Sequence, residues 1–123
     1  MTKIASHGWQ SDVTTFAPLA KSYLKTMDAN VLILDWSYIA SDWTYLGSAQ
    51  SVPLLGDTLG ETLGKILVTE LDVSPSSIHC VGHSLGAHNV GHIARNIAEF
   101  GGKGKVARVT GQRQQVLKGI FFA

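Results

Sequence analysis

The sequence is poor in cysteine and proline, and neither sign of charge is in excess. Cys80 is the single cysteine among 123 residues, so no disulfide can form within the chain. Ten Lys and Arg residues against nine Asp and Glu residues leave a formal charge of +1, which argues against bulk attraction to nucleic acid or to anionic membranes. No uninterrupted apolar stretch is long enough to span a bilayer, so the sequence predicts no transmembrane segment.

Apolar residues make up 45% of the chain, which is enough for one globular core at this length. Cys80 lies within an apolar run and is predicted to be a buried thiol. All nine acids lie at or before Glu99, and the five Lys and Arg residues that follow form a basic end, for which we prefer simple solvation to partner binding. The chain enters a strand almost at once, without the long apolar region of a secretory signal, so we expect a further segment in front of it.

Four short runs have the character of β-strands, and helical patterns separate the first three. The runs are KIASH (3–7), NVLILDW (30–36), SIHCVGH (77–83) and KVARVTG (105–111). Alternation of this kind is typical of a parallel sheet with crossover helices, so the sequence predicts an α/β fold.

Two helices are predicted between these strands. The first carries an apolar stripe that is expected to pack on the sheet, made of Phe16, Leu19, Ala20, Tyr23, Leu24 and Met27. The second spans about 54–71 and has glycines one turn apart at Gly56, Gly60 and Gly64. Charged residues interrupt it, so we favour close packing on the sheet or a neighbouring helix over membrane dimerisation. The segment 37–52 is rich in small, polar and aromatic residues and is predicted to be a loop lining a cleft.

The pentapeptide Gly82-His83-Ser84-Leu85-Gly86 matches the G-x-S-x-G pattern of a nucleophile elbow, a sharp strand-to-helix turn that presents a serine hydroxyl. The flanking glycines leave room where Cβ atoms would clash. An apolar strand precedes the motif, and a small-residue helical face follows it, made of Ala87, Val90, Gly91, Ala94, Ile97 and Ala98. Ser84 is therefore the candidate nucleophile, and the Leu85 N–H at the helix start is a candidate donor to an oxyanion.

A second donor is predicted in the segment SHGW (6–9), directly after the first strand. An HG-type loop at this place offers a backbone N–H to the oxyanion hole, and Trp9 is the candidate. A His-Gly pair alone also fits a plain strand ending in a turn.

The segments SHGW, NVLILDW, IHCVGHSLGAH and ARVTG, in this order and spacing, resemble the animal neutral lipase family, which includes pancreatic lipase, lipoprotein lipase and insect phospholipase A1. The resemblance runs from about Lys3 to Gly111. It implies a partial α/β-hydrolase fold, with a mostly parallel sheet in the order second, first, third, fourth strand and helices on both faces. It further implies Ser84 as nucleophile, Trp9 and Leu85 as oxyanion donors, a lipid ester substrate with possible contact to a lipid surface, no metal or organic cofactor, and an extracellular location.

The sequence departs from this family after VTG, where it reads QRQQVLKGIFFA instead of Leu-Asp-Pro-Ala. The resemblance places the triad Asp in that segment and the catalytic His much later. We therefore expect a lipase-like domain over 1–111, a divergent basic and apolar tail over 112–123, and impaired ester hydrolysis. A truncated product, an alternatively spliced product and an imperfect gene model are all compatible with this change of sequence. The alternative is a non-catalytic lipase-derived fragment that binds lipid or a protein partner.

Other polar residues near the motif are predicted to have structural roles. His88 and His92 lie on a polar stripe expected to point away from the sheet, and they lack the Glu and the third ligand of a zinc site. His7 and His83 are expected to form structural hydrogen bonds. Asp35, at the end of the second strand, is the best internal carboxylate, although such a residue more often caps a loop.

Overall fold

The computed structural model describes residues 1–8, 12–40 and 45–112. Four parallel strands form one sheet: β1 (Thr2–Ser6), β2 (Asn30–Leu34), β3 (Ile78–His83) and β4 (Arg108–Gln112). Their spatial order is β2-β1-β3-β4, which confirms the predicted order and the α/β class. All four carboxyl ends lie at one edge of the sheet, where parallel α/β sheets place their functional loops.

The first crossover is a 3-10 turn (Val13–Phe16) that continues into α1 (Ala17–Thr26). The Asp12 side chain caps the turn by accepting from the Thr14 N–H at 2.9 Å. Phe16 is buried against Ala5 and Val81 on one face of the sheet. The predicted apolar stripe is only partly buried, because Leu24 and Met27 near the end of the helix are 60% and 41% exposed.

The second crossover is more helical than predicted. Helix α2 (Ser37–Ala40) and helix α3 (Tyr45–Leu63) occupy much of the segment expected to be a loop, and a π-helical turn (Gly64–Glu70) extends α3. The predicted start of the second helix near residue 54 is wrong, since α3 begins at Tyr45 and includes Pro53. Pro53 removes the N–H that would pair with the Ala49 carbonyl, but its exposed position leaves that carbonyl within reach of water.

The glycines of α3 pack against α4 (Leu85–Gly101), which follows β3. A Cβ on Gly56 would lie 2.6 Å from His92 Cβ, and one on Gly60 would lie 2.6 Å from Asn96 Cβ. This confirms close packing on a neighbouring helix. Within the described ranges, no helix is long and apolar enough to cross a membrane.

Helices cover both faces of the sheet, as predicted. On the face opposite α1, Ile4 and Cys80 are fully buried with residues of α4 and the π-helical turn: Leu67, Val68, Val90, Ile93 and Ile97. Burial raises the pKa of the Cys80 thiol to about 12, which confirms the buried thiol. The predicted sheet-facing stripe of α4 is wrong at Gly91, which is exposed with open space beside it. The buried surface of α4 is turned instead toward both the sheet and α3.

Candidate active site

Ser84 occupies a sharp turn between β3 and α4. The strand ends at His83, the helix begins at Leu85, and Ser84 between them has φ 57° and ψ −122°. A positive φ is unfavourable for a residue with a Cβ, and such conformations persist where surrounding packing fixes them. The predicted strand, turn and helix around the motif are therefore present.

The two glycines of the motif are required by the crossing of three backbone segments. A Cβ on Gly82 would lie 2.1 Å from the Gly86 carbonyl oxygen. A Cβ on Gly86 would lie 2.1 Å from the carbonyl oxygen of Ser6 and 2.4 Å from that of His7. No side chain fits at these distances, so the first turn of α4 lies directly on the end of β1.

Gly8 brings the loop after β1 to the serine itself. A Cβ on Gly8 would lie 2.8 Å from the His83 carbonyl oxygen and 2.9 Å from Ser84 Cβ, with Ser84 Oγ at 3.5 Å. The loop that carries Gly8 therefore contacts Ser84, as expected for an HG-type loop after the first strand. Trp9, the predicted second donor, lies outside the described residues.

The start of α4 provides a positive electrostatic environment for a developing anion. The first N–H groups of a helix have no carbonyl partner within it, and the helix dipole points its positive end at the same place. Leu85 is the first residue of α4 and is 3% exposed, while Ser84 is 2% exposed. Low exposure strengthens electrostatic interactions at this position.

His7 has a structural role in the loop after β1. Its buried ring stacks on Trp36 with centroids 5.2 Å apart, and the Trp36 N–H donates to Nε2 at 3.2 Å. In the neutral tautomer this leaves Nδ1–H to donate to the Gly8 carbonyl, also at 3.2 Å. The Trp36 indole N–H donates to the His7 carbonyl at 2.9 Å. Both ring nitrogens therefore hold the loop that carries Gly8.

Asp35 caps α2. Its Oδ1 accepts from the Ser37 N–H at 3.0 Å and from the Ser37 hydroxyl at 2.6 Å. The hydroxyl bond and then the backbone bond lower the pKa of Asp35. This carboxylate thus has the capping role that such residues commonly have, and we assign it no part in proton transfer.

His92 points away from the sheet, as predicted, but it faces α3 rather than solvent. Its Nδ1 lies 3.2 Å from Oδ1 of Asp57, which also accepts from Arg95 at 3.1 Å and Asn96 at 2.7 Å. Partial burial alone would raise the pKa of Asp57, but these hydrogen bonds and nearby His92 lower it overall. Among the described residues, no three potential His, Cys, Asp or Glu ligands form a metal-binding group.

Two polar contacts were not predicted from the sequence. Asn89 of α4 donates to the Ser6 hydroxyl at 2.9 Å, and both side chains are fully buried. On the sheet face toward α1, His79 connects Lys3 (2.8 Å) to Thr110 (2.8 Å) across three strands. The sequence does show that polar residues occur within apolar strands and on an apolar helix face. It does not show which of them are in contact, because that depends on the register of the strands and the packing of α4 on them.

Comparisons with known proteins agree with this geometry. The family model described as Lipase matches residues 1–113. Phospholipase A1 member A of Rattus norvegicus is 36% identical over 113 residues, covering 89% of this chain and 23% of that protein. Pancreatic triacylglycerol lipase of Equus caballus is 29% identical over 112 residues, covering 89% of this chain and 23% of that protein. Phospholipase A1 of Vespa basalis is 29% identical over 116 residues, covering 86% of this chain and 38% of that protein.

The chain therefore spans between about a quarter and two fifths of the length of these relatives. The matched part contains the sheet, the strained serine turn and the loop that touches it. Sequence, fold and local geometry lead to the same assignment: the chain belongs to the lipase family.

Proposed function

We propose that this chain carries the nucleophile and the oxyanion-binding half of a lipid carboxylic ester hydrolase site. The contact between Gly8 and Ser84 carries the proposal, because it brings the loop after β1 and the start of α4 to one hydroxyl. That arrangement suits acyl transfer, in which a serine attacks a carbonyl and two backbone N–H groups receive its negative charge.

In the proposed reaction, Ser84 Oγ attacks the ester carbonyl carbon while a base takes the hydroxyl proton. The carbonyl oxygen becomes an anion that accepts from the backbone N–H groups of Leu85 and Trp9. Collapse of the tetrahedral intermediate expels the alcohol with that proton and leaves an acyl-Ser84 ester, which water then hydrolyses. The glycines Gly82 and Gly86 serve this step indirectly, since they permit the turn that presents Oγ.

We assign the general base to a histidine that is not one of the five in this sequence, paired with an aspartate. His7, His79 and His92 are engaged in the structural contacts given above. The family resemblance places both triad partners after the segment ARVTG. We therefore expect ester hydrolysis by the 123-residue chain to be slow, supported by the oxyanion site and binding alone.

The proposed substrate is a triacylglycerol or a phospholipid, and the named relatives include a protein of each kind. An extracellular site of action, contact with a lipid surface, and chemistry without a metal or organic cofactor are part of the same proposal. We also propose that residues 1–111 form the lipase-like unit and that 112–123 form a divergent basic and apolar tail, of which Gln112 in β4 is still paired with His83.

Fluorophosphonate labelling of the 123-residue chain tests the nucleophile. The phosphorus forms a tetrahedral adduct with an activated serine and places an oxygen in the oxyanion site. We expect slow labelling at Ser84, accelerated in proportion to added imidazole because free imidazole replaces the base. S84A should lose the label. S76A, which removes an exposed serine hydroxyl away from the turn, should label like the unmodified chain.

Peptide mapping of the adduct separates the outcomes. Labelling distributed over several serines, without response to imidazole, would contradict the hydrolase proposal and favour a non-catalytic fragment that binds lipid or a partner. Fast labelling of Ser84 without imidazole would instead show that this chain supplies its own base, and the assignment of the base to another segment would be wrong.

A further inference from the structure

A buried hydrogen bond joins the end of β1 to α4 beside the proposed site. Asn89 Nδ2 donates to Ser6 Oγ at 2.9 Å, and each residue has no exposed surface. Neither residue belongs to the G-x-S-x-G motif or to the His-Gly pair. The bond spans 83 positions of the sequence, so it connects elements that the chain does not hold together locally.

The bond joins α4, which begins with the proposed donor Leu85, to β1, which leads into the loop of Gly8. Ser6 is the last residue of β1 and leads through His7 and Gly8 toward Trp9. Asn89 lies five residues after Ser84, on the helix that begins with Leu85. Gly86, between Ser84 and Asn89, packs on the Ser6 carbonyl oxygen. This backbone contact and the hydrogen bond therefore both join the end of β1 to the first turns of α4.

The bond leaves one polar atom without a partner. Asn89 Oδ1 is buried and has no hydrogen-bond partner in the part of the chain that the structure describes. It would lie 2.8 Å from a Cβ on Gly56, so α3 covers it with backbone that offers no donor there. A buried carbonyl oxygen without a donor is unfavourable, and an apolar side chain of similar volume avoids that penalty. Stability alone therefore does not explain an asparagine at this position.

We infer that Ser6 and Asn89 form a positioning pair that fixes the start of α4, with the proposed donor Leu85, on the end of β1. The inference rests on the proposed function. An oxyanion is stabilised when its donors lie about 2.7–3.1 Å from it, so a small sliding of α4 along β1 weakens the bond from Leu85. The hydrogen bond between Ser6 and Asn89 resists that sliding because it is directional, whereas apolar packing at the same place is not.

The test measures the acylation rate of Ser84 and stability separately. The variants are N89L, S6A and the double variant S6A/N89L, which removes every polar side-chain atom of the pair. For each, we would determine kinact and KI for fluorophosphonate labelling at fixed imidazole concentration, and the urea midpoint. We expect S6A/N89L to match or exceed the unmodified chain in urea midpoint, while kinact falls about 10- to 100-fold and KI stays within twofold.

N96L is the matched control. Asn96 lies two turns further along α4, is also buried, and binds Asp57 and the His92 carbonyl. This variant should lower the urea midpoint while kinact of the folded protein stays within twofold. The comparison of N96L with S6A/N89L distinguishes a general loss of packing around α4 from a shift of the start of α4 on β1.

Each outcome decides the inference. Unchanged kinact in a stable S6A/N89L, with Ser84 still labelled, would overturn the positioning role and leave the proposed function intact. A double variant that fails to fold, or loses stability and rate together, would show an ordinary structural bond and would also overturn it. Absence of Ser84 labelling in the unmodified chain would overturn the proposed function, and the inference with it.

Discussion

Gly8 and Ser84 meet so closely that a Cβ on the glycine would lie 2.9 Å from the serine Cβ. Ser84 itself has a positive φ of 57°, a conformation with an energetic cost of about 1–3 kcal/mol for a residue with a side chain. The contact and the strain belong together, because the turn must bring the hydroxyl to the loop after β1.

Replacement of Gly8 with alanine should slow acylation of Ser84. The added methyl would lie 2.8 Å from the His83 carbonyl oxygen, so the loop must move away from the turn. A displacement near 1 Å lowers a well-positioned rate by about 100-fold, and we expect a fall of about 10- to 100-fold in fluorophosphonate labelling of G8A with imidazole present. A rate within twofold of the unmodified chain would show that this loop does not contribute to the site.

Replacing a glycine of α4 with alanine should destabilise the protein at Gly86 and stabilise it at Gly91. G86A places a methyl 2.1 Å from the Ser6 carbonyl oxygen and should lower the free energy of unfolding by about 3 kcal/mol or more. G91A meets nothing within 4 Å and should raise it by about 0.5–1 kcal/mol, because alanine favours a helix over glycine. Urea unfolding measures both, and equal effects at the two positions would contradict the packing of α4 on β1.

Acidification should destabilise the protein through His79. Burial lowers the pKa of His79 from its ordinary value near 6.5, with smaller contributions from the charges of Lys3 and Arg108. The unfolded chain therefore binds a proton more readily, so this stability is present above about pH 6.5 and is lost as pH falls through the lower folded pKa. H79Q keeps an acceptor and a donor, and its melting temperature should change less between pH 7 and pH 5.

At pH 8 His79 is neutral in both the folded and the unfolded chain. Any difference in melting temperature between H79Q and the unmodified chain at this pH should therefore come from altered packing and hydrogen bonding alone. An equally steep loss of melting temperature in H79Q on acidification would assign the pH dependence to other groups.

The Cys80 thiol should be unreactive in the folded protein. It is fully buried and burial raises its pKa to about 12, so thiolate is scarce at pH 8 and reagent has no access. We expect iodoacetamide to modify Cys80 only after denaturation in urea, as followed by intact mass. Rapid modification without urea would show that the core around β3 opens readily.

The sequence predicts most of the sheet because each strand has its own local signal. Apolar runs and the intervening helical pattern are enough for four parallel strands, and the spatial order followed from the family resemblance. The elbow at Ser84 was predictable for the same reason, since steric demands at Gly82 and Gly86 are local. The start of α3 was not, because Pro53 favours a helix boundary and only packing on α4 continues the helix across it.

Contacts between distant segments were less accessible. The stripe on α4 was assigned to the sheet from its small residues, but α4 also packs on α3, so Gly91 is exposed while Asn89 and Asn96 are buried. Nothing in the local sequence indicates that Asn89 meets Ser6, or that His79 meets Lys3. These partners are chosen by register and helix packing, which depend on the whole sheet.

The long span of the bond between Ser6 and Asn89 also has a consequence for folding kinetics. The strained turn at Ser84 is held by the contact of Gly86 with Ser6 at the end of β1, and the hydrogen bond beside it joins residues 83 positions apart. Closure of so long a loop is entropically unfavourable until many contacts form together. We therefore expect Ser84 to acquire its shape late in folding, after β1 and β3 have paired.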